Sequence, residues 1–224
     1  MTHNKTATSA YVFDAYGTLF DVHSAVAAHS NRIGRDAEAM SELWRARQVE
    51  YSWTYSLMGR APDFWVLTQQ SLDYAMARFG IQDDGLRTDL LTSYLKLGAY
   101  PEVPGVLRRL KEAGKQVVIL SNGTQAMVQS AVQAAGLANH VDKVLSVDPA
   151  GIFKPSPRVY QLVLDSLGVS AEQVSFQSSN AWDAAGAGSF GFRVVWVNRR
   201  HLPPEYPFEF PSVEIDTLDA LLQA

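Results

Sequence analysis

Short apolar runs recur along the chain, and segments of helical length separate the last four of them. This alternation is typical of a parallel sheet that is covered by helices on both faces. We therefore expect an α/β fold with a doubly wound parallel sheet. A late run at 213–215 is expected to add an edge strand, and 217–224 to form a closing helix. The main runs are SAYVF (9–13), QVVIL (116–120), KVLSV (143–147), VSFQ (174–177) and RVVWV (193–197).

The long interval between the first two runs breaks this alternation. It contains no strand pattern, and its apolar spacing predicts three helices instead. An insertion of this size predicts a second, helical domain. We expect residues 1–20 and 99–224 to form the core domain and residues 21–98 to form the helical domain. The predicted helices are at 38–58, 61–80 and about 84–97.

The composition limits the classes of function. The chain has 224 residues, 47% of them hydrophobic, which is enough for a sizeable core. It has no cysteine, which excludes thiol catalysis and disulfides and is consistent with a cytoplasmic location. A net charge of -4 with scattered Lys and Arg argues against nucleic acid, and no apolar run approaches the ~20 residues of a membrane span. A small molecule is the expected partner.

Polar residues follow four of the predicted strands where each strand ends. In an open α/β sheet, ligands bind beyond the carboxyl ends of the strands, so these residues are expected to meet at one edge. They are Asp14 after the first strand, Ser121 and Asn122 after the second, Lys154 in the loop after the third, and Ser178, Ser179, Asn180 and Asp183 after the fourth.

Each of these residues also has a purely structural interpretation. Asp14 alone fits a turn, because Asp, Gly and Thr are ordinary loop residues. Lys154 is held in a loop by the proline after it, and a solvated lysine is the default. Asp183 lies three residues after Asn180, and this spacing fits a capping box as well as Asp183 fits a catalytic acid. The sequence pattern leaves these alternatives open.

An arginine in the helical domain raises a similar question. Arg45 shares a helix face with Val49 and Trp53. An arginine on an apolar face either serves a site, extends its charged group to solvent, or forms an ion pair, here with Glu42 or Glu50.

The string GAGSFG at 186–191 matches a dinucleotide-binding pattern. It neither follows a strand directly nor opens a helix, and no suitable acid lies about 20 residues further on. We interpret its glycines as close packing and a helix stop, and no nucleotide cofactor is expected.

Five separated motifs resemble, in order and spacing, those of the 2-haloacid dehalogenases of the haloacid dehalogenase superfamily. The resemblance covers about residues 9–198 and implies a Rossmann-like core with an inserted α-helical cap domain. It also implies metal-independent, cofactor-free hydrolysis of a carbon–halogen bond beside a carboxylate, which converts an (S)-2-haloacid into an (R)-2-hydroxyacid and a halide ion. The motifs are FDAYGTLFDV (13–22), LWRARQVEYSW (43–53), ILSNG (119–123), FKPSPRVY (153–160) and SSNAWD (178–183).

The resemblance also implies roles for individual residues. Asp14 would be the nucleophile that forms an ester with the substrate. Asp183, helped by Ser178 and Asn180, would position the water that cleaves this ester. The other implied roles are support of the nucleophile by Thr18, Lys154 and Tyr160, substrate carboxylate binding by Ala15, Tyr16 and Ser121, halide binding by Arg45 and Asn122, and a hydrophobic pocket of Val49, Phe64 and Trp182.

Two alternatives remain at this point. Magnesium-dependent phosphatases of the same superfamily resemble the chain at Asp14, Ser121 and Lys154, but they carry a second aspartate where this chain has Tyr16, and their acidic cluster after strand four is replaced here by SSN. A non-catalytic binding protein on the same fold is the other alternative. A homodimer is expected from the resemblance alone.

Overall fold

The structure, a computed structural model, describes residues 8–206 and 212–222 and is built around a parallel sheet of six strands. The strands are β1 Ala10–Phe13, β2 Gln116–Ser121, β3 Lys143–Ser146, β4 Val174–Ser178, β5 Arg193–Val197 and β6 Ser212–Ile215. The strand order is β3-β2-β1-β4-β5-β6, and every neighbouring pair is parallel. β4 is buried along its length, and β2 is buried after its first residue, as expected where helices cover both faces of a parallel sheet.

The helices fall into an inserted group and a group that alternates with the strands. The inserted group comprises α1 Ser24–Ala27, α2 Ser30–Ile33, α3 Ala37–Leu57, α4 Phe64–Arg78 and α5 Asp84–Tyr94. The second group comprises α6 Val103–Glu112, α7 Gln125–Ala134, α8 Pro157–Leu167 and α9 Ala181–Phe190. Short 3-10 helices occupy Gly34–Asp36, Ala138–His140, Asp148–Ala150, Ala171–Gln173 and Leu218–Leu222.

Local chemistry sets several of the helix boundaries. Asp63 and Asp83 accept hydrogen bonds from the first-turn amides of α4 and α5, and Thr124 does the same for α7. Ser156 precedes α8 as predicted, with Pro157 at the first helical position, but its side chain makes no capping hydrogen bond.

The connectivity places β1 at the topological switch point. β1 pairs with β2 on one side and β4 on the other, and the chain winds outward from it in both directions. Loops that follow β1, β2 and β4 therefore converge at the carboxyl end of β1, where ligands bind in sheets of this type.

Two chain segments lead into and out of the inserted helices, and they lie side by side. The Asp21 amide donates to the Gly98 carbonyl at 3.2 Å, and the Tyr100 amide donates to the Leu19 carbonyl at 3.0 Å. The helical group thus leaves and rejoins the sheet domain at one place.

The predicted fold class is confirmed: the sheet is doubly wound and parallel, and a helical group is inserted after β1. Three details differ. Helix α6 was not predicted, the short helices α1 and α2 were not predicted, and the closing helix is a 3-10 segment at Leu218–Leu222. Residues 223–224 of that predicted helix, and residues 1–7 and 207–211 of the predicted core domain, lie outside the described residues. None of the described helices combines the length and apolar character that a membrane span requires.

The glycine string at 186–191 is used for packing, as the sequence indicates. A Cβ added to Gly186 in α9 would lie 2.5 Å from the Tyr160 hydroxyl and 2.6 Å from Pro155 Cβ. Gly191 ends α9 in the left-handed conformation with φ 111°. Close approach of α9 to α8 therefore requires a residue without a side chain at position 186.

We expect Gly186→Ala to destabilise the fold by about 1–3 kcal/mol, because the added methyl overpacks the contact between α8 and α9. Gly105→Ala is the matched control: Gly105 also lies in a helix and its Cβ would meet nothing within 4 Å. That control is expected to be neutral or to gain up to ~1 kcal/mol. Urea unfolding of both variants decides the matter, and equal stabilities would contradict this packing account.

Candidate active site

Asp14 follows β1 directly and is almost completely buried at the carboxyl end of the sheet. Its backbone is fixed by a hydrogen bond from its amide to the Gln177 carbonyl at 2.9 Å. Its carboxylate accepts from three side chains: Lys154 Nζ at 3.0 Å, Thr18 Oγ1 at 3.0 Å and Asn180 Nδ2 at 2.8 Å. A turn residue does not need three converging donors, so the turn interpretation does not account for Asp14.

Lys154 bridges two carboxylates. Its side chain is completely buried, and Nζ lies 2.8 Å from Asp183 Oδ2 as well as 3.0 Å from Asp14 Oδ1. The Lys154 amide donates to Asn122 Oδ1 at 2.9 Å, which anchors the loop after β3 to the end of β2. The default expectation of a solvated lysine is therefore wrong. The ammonium group links the loops that follow β1, β3 and β4.

Asp183 is fully buried in the first turn of α9. Its carboxylate accepts from Tyr160 Oη at 2.8 Å and from Ser178 Oγ at 3.2 Å, in addition to Lys154. Asn180 is the N-cap of α9, but its side chain makes no capping hydrogen bond and points to Asp14 instead. The capping-box alternative is wrong.

Burial and charge act against each other in this cluster. Burial raises the pKa of Asp183 to about 6, although the Lys154 ammonium pulls it down. Burial disfavours the charge on Lys154, but the carboxylates of Asp14 and Asp183 outweigh it and raise the pKa of Lys154 above its usual value. Burial also raises the pKa of Tyr160 well above 10.0, so the phenol stays a hydrogen-bond donor.

The loop after Asp14 surrounds the carboxylate. Thr18 Oγ1 donates to Asp14 and accepts from the Ser179 amide at 2.8 Å, which ties the loops after β1 and β4 together. The amides of Ala15 and Tyr16 donate to no carbonyl or side chain in the described part of the chain. They lie next to Asp14 in the sequence and have no acceptor among the described residues, so their predicted role in binding the substrate carboxylate stays a prediction.

Ser121 and Asn122 end β2 at the same edge of the sheet. Ser121 is completely buried, and its hydroxyl oxygen accepts from the Gly123 amide at 3.0 Å. Asn122 uses its carbonyl oxygen for Lys154, which leaves its amide nitrogen as the donor available to a ligand.

Arg45 of α3 reaches from the helical group to the sheet domain. Its guanidinium donates to Gln48 Oε1 at 2.8 Å, to the Tyr16 carbonyl at 3.2 Å and to Asn180 Oδ1 at 3.4 Å. The two predicted acidic partners are used elsewhere, since Glu50 pairs with Arg47 and Glu42 with Arg200. Within residues 8–206 and 212–222, Arg45 forms no ion pair with a carboxylate, so the ion-pair alternative is wrong.

Aromatic residues border this region. Phe64 is buried between the rings of Tyr16, at a centroid distance of 6.5 Å, and Phe153, at 5.7 Å. Trp182 meets Trp53 of α3 edge-on at 5.3 Å. Val49 is half-buried on α3 and stays a predicted pocket residue.

The sequence prediction missed a group of polar residues beneath Arg45. Gln48, Thr68 and Tyr94 are buried, and Gln48 donates hydrogen bonds to both Thr68 and Tyr94. The available signal was a glutamine three positions after Arg45, which places two polar side chains on one helix face.

An open cleft does not identify the site. A cleft of about 610 Å³ lies beside the two segments that lead into and out of the inserted helices. Its walls include His23, Glu42, Tyr100 and Arg199. It contains none of the residues around Asp14. The chemistry is instead concentrated where the side chains are buried and converge.

Comparisons with known proteins show the family of the chain. A family model of haloacid dehalogenase-like hydrolases matches residues 8–191. The (S)-2-haloacid dehalogenase 4A of Burkholderia cepacia is 48% identical over 213 residues, which span 95% of this chain and 92% of that protein.

Two solved structures are similar over nearly the whole chain. A dehalogenase with an intermediate complex has a TM-score of 0.94 and 46% identity, and covers 97% of this chain and 96% of that one. The L-2-haloacid dehalogenase of Xanthobacter autotrophicus with chloropropionic acid covalently bound has a TM-score of 0.87 and 36% identity, and covers 96% of this chain and 97% of that one.

The buried charge cluster leads to a stability prediction. We expect Lys154→Met to cost about 3–5 kcal/mol near pH 7, because two buried carboxylates lose their common counterion. Without the ammonium, the folded-state pKa of Asp183 rises further above its unfolded value of 3.8. The folded variant then keeps a proton that folded wild type, with an Asp183 pKa of about 6, has released, so the deficit relative to wild type shrinks as the pH falls from about 8 toward about 6 and changes little below that.

Denaturant unfolding over this pH range measures the effect, with Lys143→Met as the matched control. Lys143 is exposed and donates to the Ser166 carbonyl at 2.7 Å. A deficit in Lys154→Met that stays constant with pH would contradict the charge explanation.

Proposed function

The chain belongs to the haloacid dehalogenase-like hydrolases, and among them to the (S)-2-haloacid dehalogenases, and on that premise we propose that it hydrolyses short-chain (S)-2-haloacids to (R)-2-hydroxyacids and halide ions. The observation that carries the proposal is the juxtaposition of Asp14 with a buried lysine and a half-buried arginine. Lys154 touches its carboxylate, and Arg45, without an acidic partner among the described residues, hydrogen-bonds to the adjoining loop.

Asp14 is proposed as the nucleophile. One carboxylate oxygen attacks C2 of the substrate, a C–O bond forms, and the carbon–halogen bond breaks with its electron pair leaving on the halide. Two anions about 4 Å apart repel by roughly 4 kcal/mol at an effective dielectric of 20. The ammonium of Lys154, 3.0 Å from Asp14, offsets this repulsion.

The substrate carboxylate is proposed to bind the amides of Ala15 and Tyr16 and the hydroxyl of Ser121. Those amides have no competing acceptor among the described residues. Binding the substrate through its carboxylate fixes C2 relative to Asp14, so the attack starts from a defined direction.

The departing halide is proposed to be received by Arg45 and Asn122. The acceptors of Arg45 among the described residues are neutral oxygens, so its charge is available to a developing anion. Phe64, Trp182 and Val49 are proposed to line the apolar side of the pocket. An apolar wall excludes water from the halide and strengthens its interaction with the guanidinium.

Hydrolysis of the ester is assigned to Asp183. Its ionised form accepts a proton from a water molecule whose oxygen attacks the Asp14 carbonyl carbon. The ester C–O bond then breaks, the departing oxygen of the hydroxyacid takes that proton back from Asp183, and the Asp14 carboxyl group releases its own proton as the carboxylate is regenerated. A pKa of about 6 lets Asp183 be ionised near neutral pH and still act as an acceptor. Ser178 and Tyr160 orient this carboxylate, and Asn180 and Thr18 orient that of Asp14. The first step inverts the configuration at C2, because Asp14 attacks from the face opposite the halide. The second step does not touch C2, so this inversion is retained in the product.

The helical group is proposed to act as a cap over the site. Arg45 and Ser56 of α3 reach the sheet domain, the latter by accepting from the Phe153 amide at 3.3 Å. In this arrangement the Asp14 side chain is 8% exposed, so the substrate enters when the cap moves. A homodimer and a cytoplasmic location are also proposed, on the family resemblance and the lack of cysteine respectively.

No observation favours the two alternative functions. Position 16 carries Tyr16 where the phosphatases carry an acid, and among the described residues no three His, Asp or Glu side chains are grouped to hold a metal ion. A binding protein would not require the donors and the second carboxylate that surround Asp14.

The test is halide release in the presence of EDTA. We expect (S)-2-chloropropionate to give chloride and (R)-lactate, and the (R) enantiomer to react far more slowly. Asp14→Asn, with its fold verified by circular dichroism, is the inactive control. Magnesium-dependent phosphate release from a phosphate ester, without halide release, would support the phosphatase instead, and inactivity in both assays would support a binding protein.

A further inference from the structure

Gln48 of α3 holds the guanidinium of Arg45 from within the helical group. Gln48 is 1% exposed, and its Oε1 accepts from Arg45 Nη1 at 2.8 Å. The sequence motifs give Gln48 no role in the reaction. Its only ionic neighbour among its described hydrogen-bond partners is Arg45.

The orientation of the Gln48 amide is determined by its neighbours. The Thr68 hydroxyl donates to the Phe64 carbonyl at 2.8 Å, so its oxygen is the acceptor for Gln48 Nε2, also at 2.8 Å. With the amide nitrogen directed at Thr68, the amide oxygen is directed at Arg45. The chain of hydrogen bonds has one direction and fixes the acceptor in place.

Tyr94 reinforces this orientation. Its hydroxyl lies 3.2 Å from Gln48 Oε1 and 3.0 Å from Nε2. Burial raises the pKa of Tyr94, so the phenol remains protonated and can donate to Oε1. The Tyr94 ring stacks on Tyr16 at 5.3 Å, and the Tyr16 carbonyl is itself an acceptor for Arg45. Gln48 and Tyr16 thus hold Arg45 from the cap and from the core.

A second arginine on the same helix shows what is unusual about this pair. Arg47 pairs with Glu50, three positions later, at the surface. Arg45 has the same spacing to Gln48, but there the partner is a neutral amide. A carboxylate at position 48 would hold the guanidinium equally well and would also cancel its charge. The neutral acceptor orients Arg45 and leaves its charge free.

We propose that Gln48 is a positioning residue for the departure of the halide: its amide oxygen orients the Arg45 guanidinium, and its neutrality preserves the positive charge that the leaving ion needs. This inference rests on the proposed function and specifies one residue of it that acts through Arg45.

The test compares Gln48→Glu and Gln48→Met with wild type on (S)-2-chloropropionate and (S)-2-bromopropionate. The constant kcat/KM reports the steps up to halide departure. We expect kcat/KM to fall about tenfold or more in Gln48→Met, and at least as much in Gln48→Glu. Removal of one charge-stabilising donor, here Arg45, typically costs about 10²–10³ in rate, and these variants misplace or neutralise that donor without removing it. Chloride is the poorer leaving group, so both variants should lose more on the chloro substrate.

Gln69→Met is the matched control, because Gln69 is a half-buried glutamine of the cap whose amide donates to the Trp65 carbonyl. Gln69→Met should leave kcat/KM unchanged on both substrates. Thr68→Val serves if the Gln48 variants fail to fold. It keeps Gln48 and removes the acceptor that orients its amide, so a smaller loss with the same preference for bromide is expected.

Two results would overturn the inference: Gln48→Glu with wild-type activity, or equal losses on both substrates in every folded variant. Absence of halide release from the wild-type enzyme would instead refute the proposed function, so the two failures are distinguishable.

Discussion

One ammonium group buried between two carboxylates is the interaction on which the site depends. Lys154 Nζ lies within hydrogen-bond distance of both Asp14 and Asp183, and all three side chains are almost or completely buried. An ionised carboxylate without a partner is strongly disfavoured in such surroundings. The loops after β1, β3 and β4 must therefore meet at one point for any of these groups to be charged, and the parallel sheet makes that possible because its strands end at one edge.

The same cluster gives its two carboxylates different environments. Asp14 accepts from Thr18, Asn180 and Lys154, an arrangement suited to an anion that is to act as a nucleophile. Asp183 lies deeper, and burial raises its pKa to about 6, which suits a group that takes up a proton during the reaction. In the proposed reaction, these different environments would suit two carboxyl groups of the same chemistry to two successive steps.

Some features could be predicted from the sequence because they are local or follow from topology. The strands are apolar runs, and the residues after them, such as Asp14 and Lys154, necessarily meet at the carboxyl edge. The contact between Gln48 and Tyr94 joins residues 46 positions apart, across helices whose packing no local pattern specifies. Helix α6 was missed because Pro104 and Gly105 resemble a linker, although Val103, Val106, Leu107 and Leu110 form a buried helical face. The sequence did not decide between a functional and a structural interpretation of Asp183 and Arg45, since each had a local explanation at least as good; only the structure shows which residues they contact.

The most direct test of the account is a single turnover in ¹⁸O-water with enzyme in excess over (S)-2-chloropropionate. If an Asp14 ester forms and is cleaved at the Asp14 carbonyl carbon, the new hydroxyl oxygen of lactate comes from the Asp14 carboxylate. Mass spectrometry should find the label in the Asp14 peptide and none in the new hydroxyl group of lactate. Labelled lactate with an unlabelled Asp14 peptide would mean that water attacks C2 directly, and would contradict the central claim.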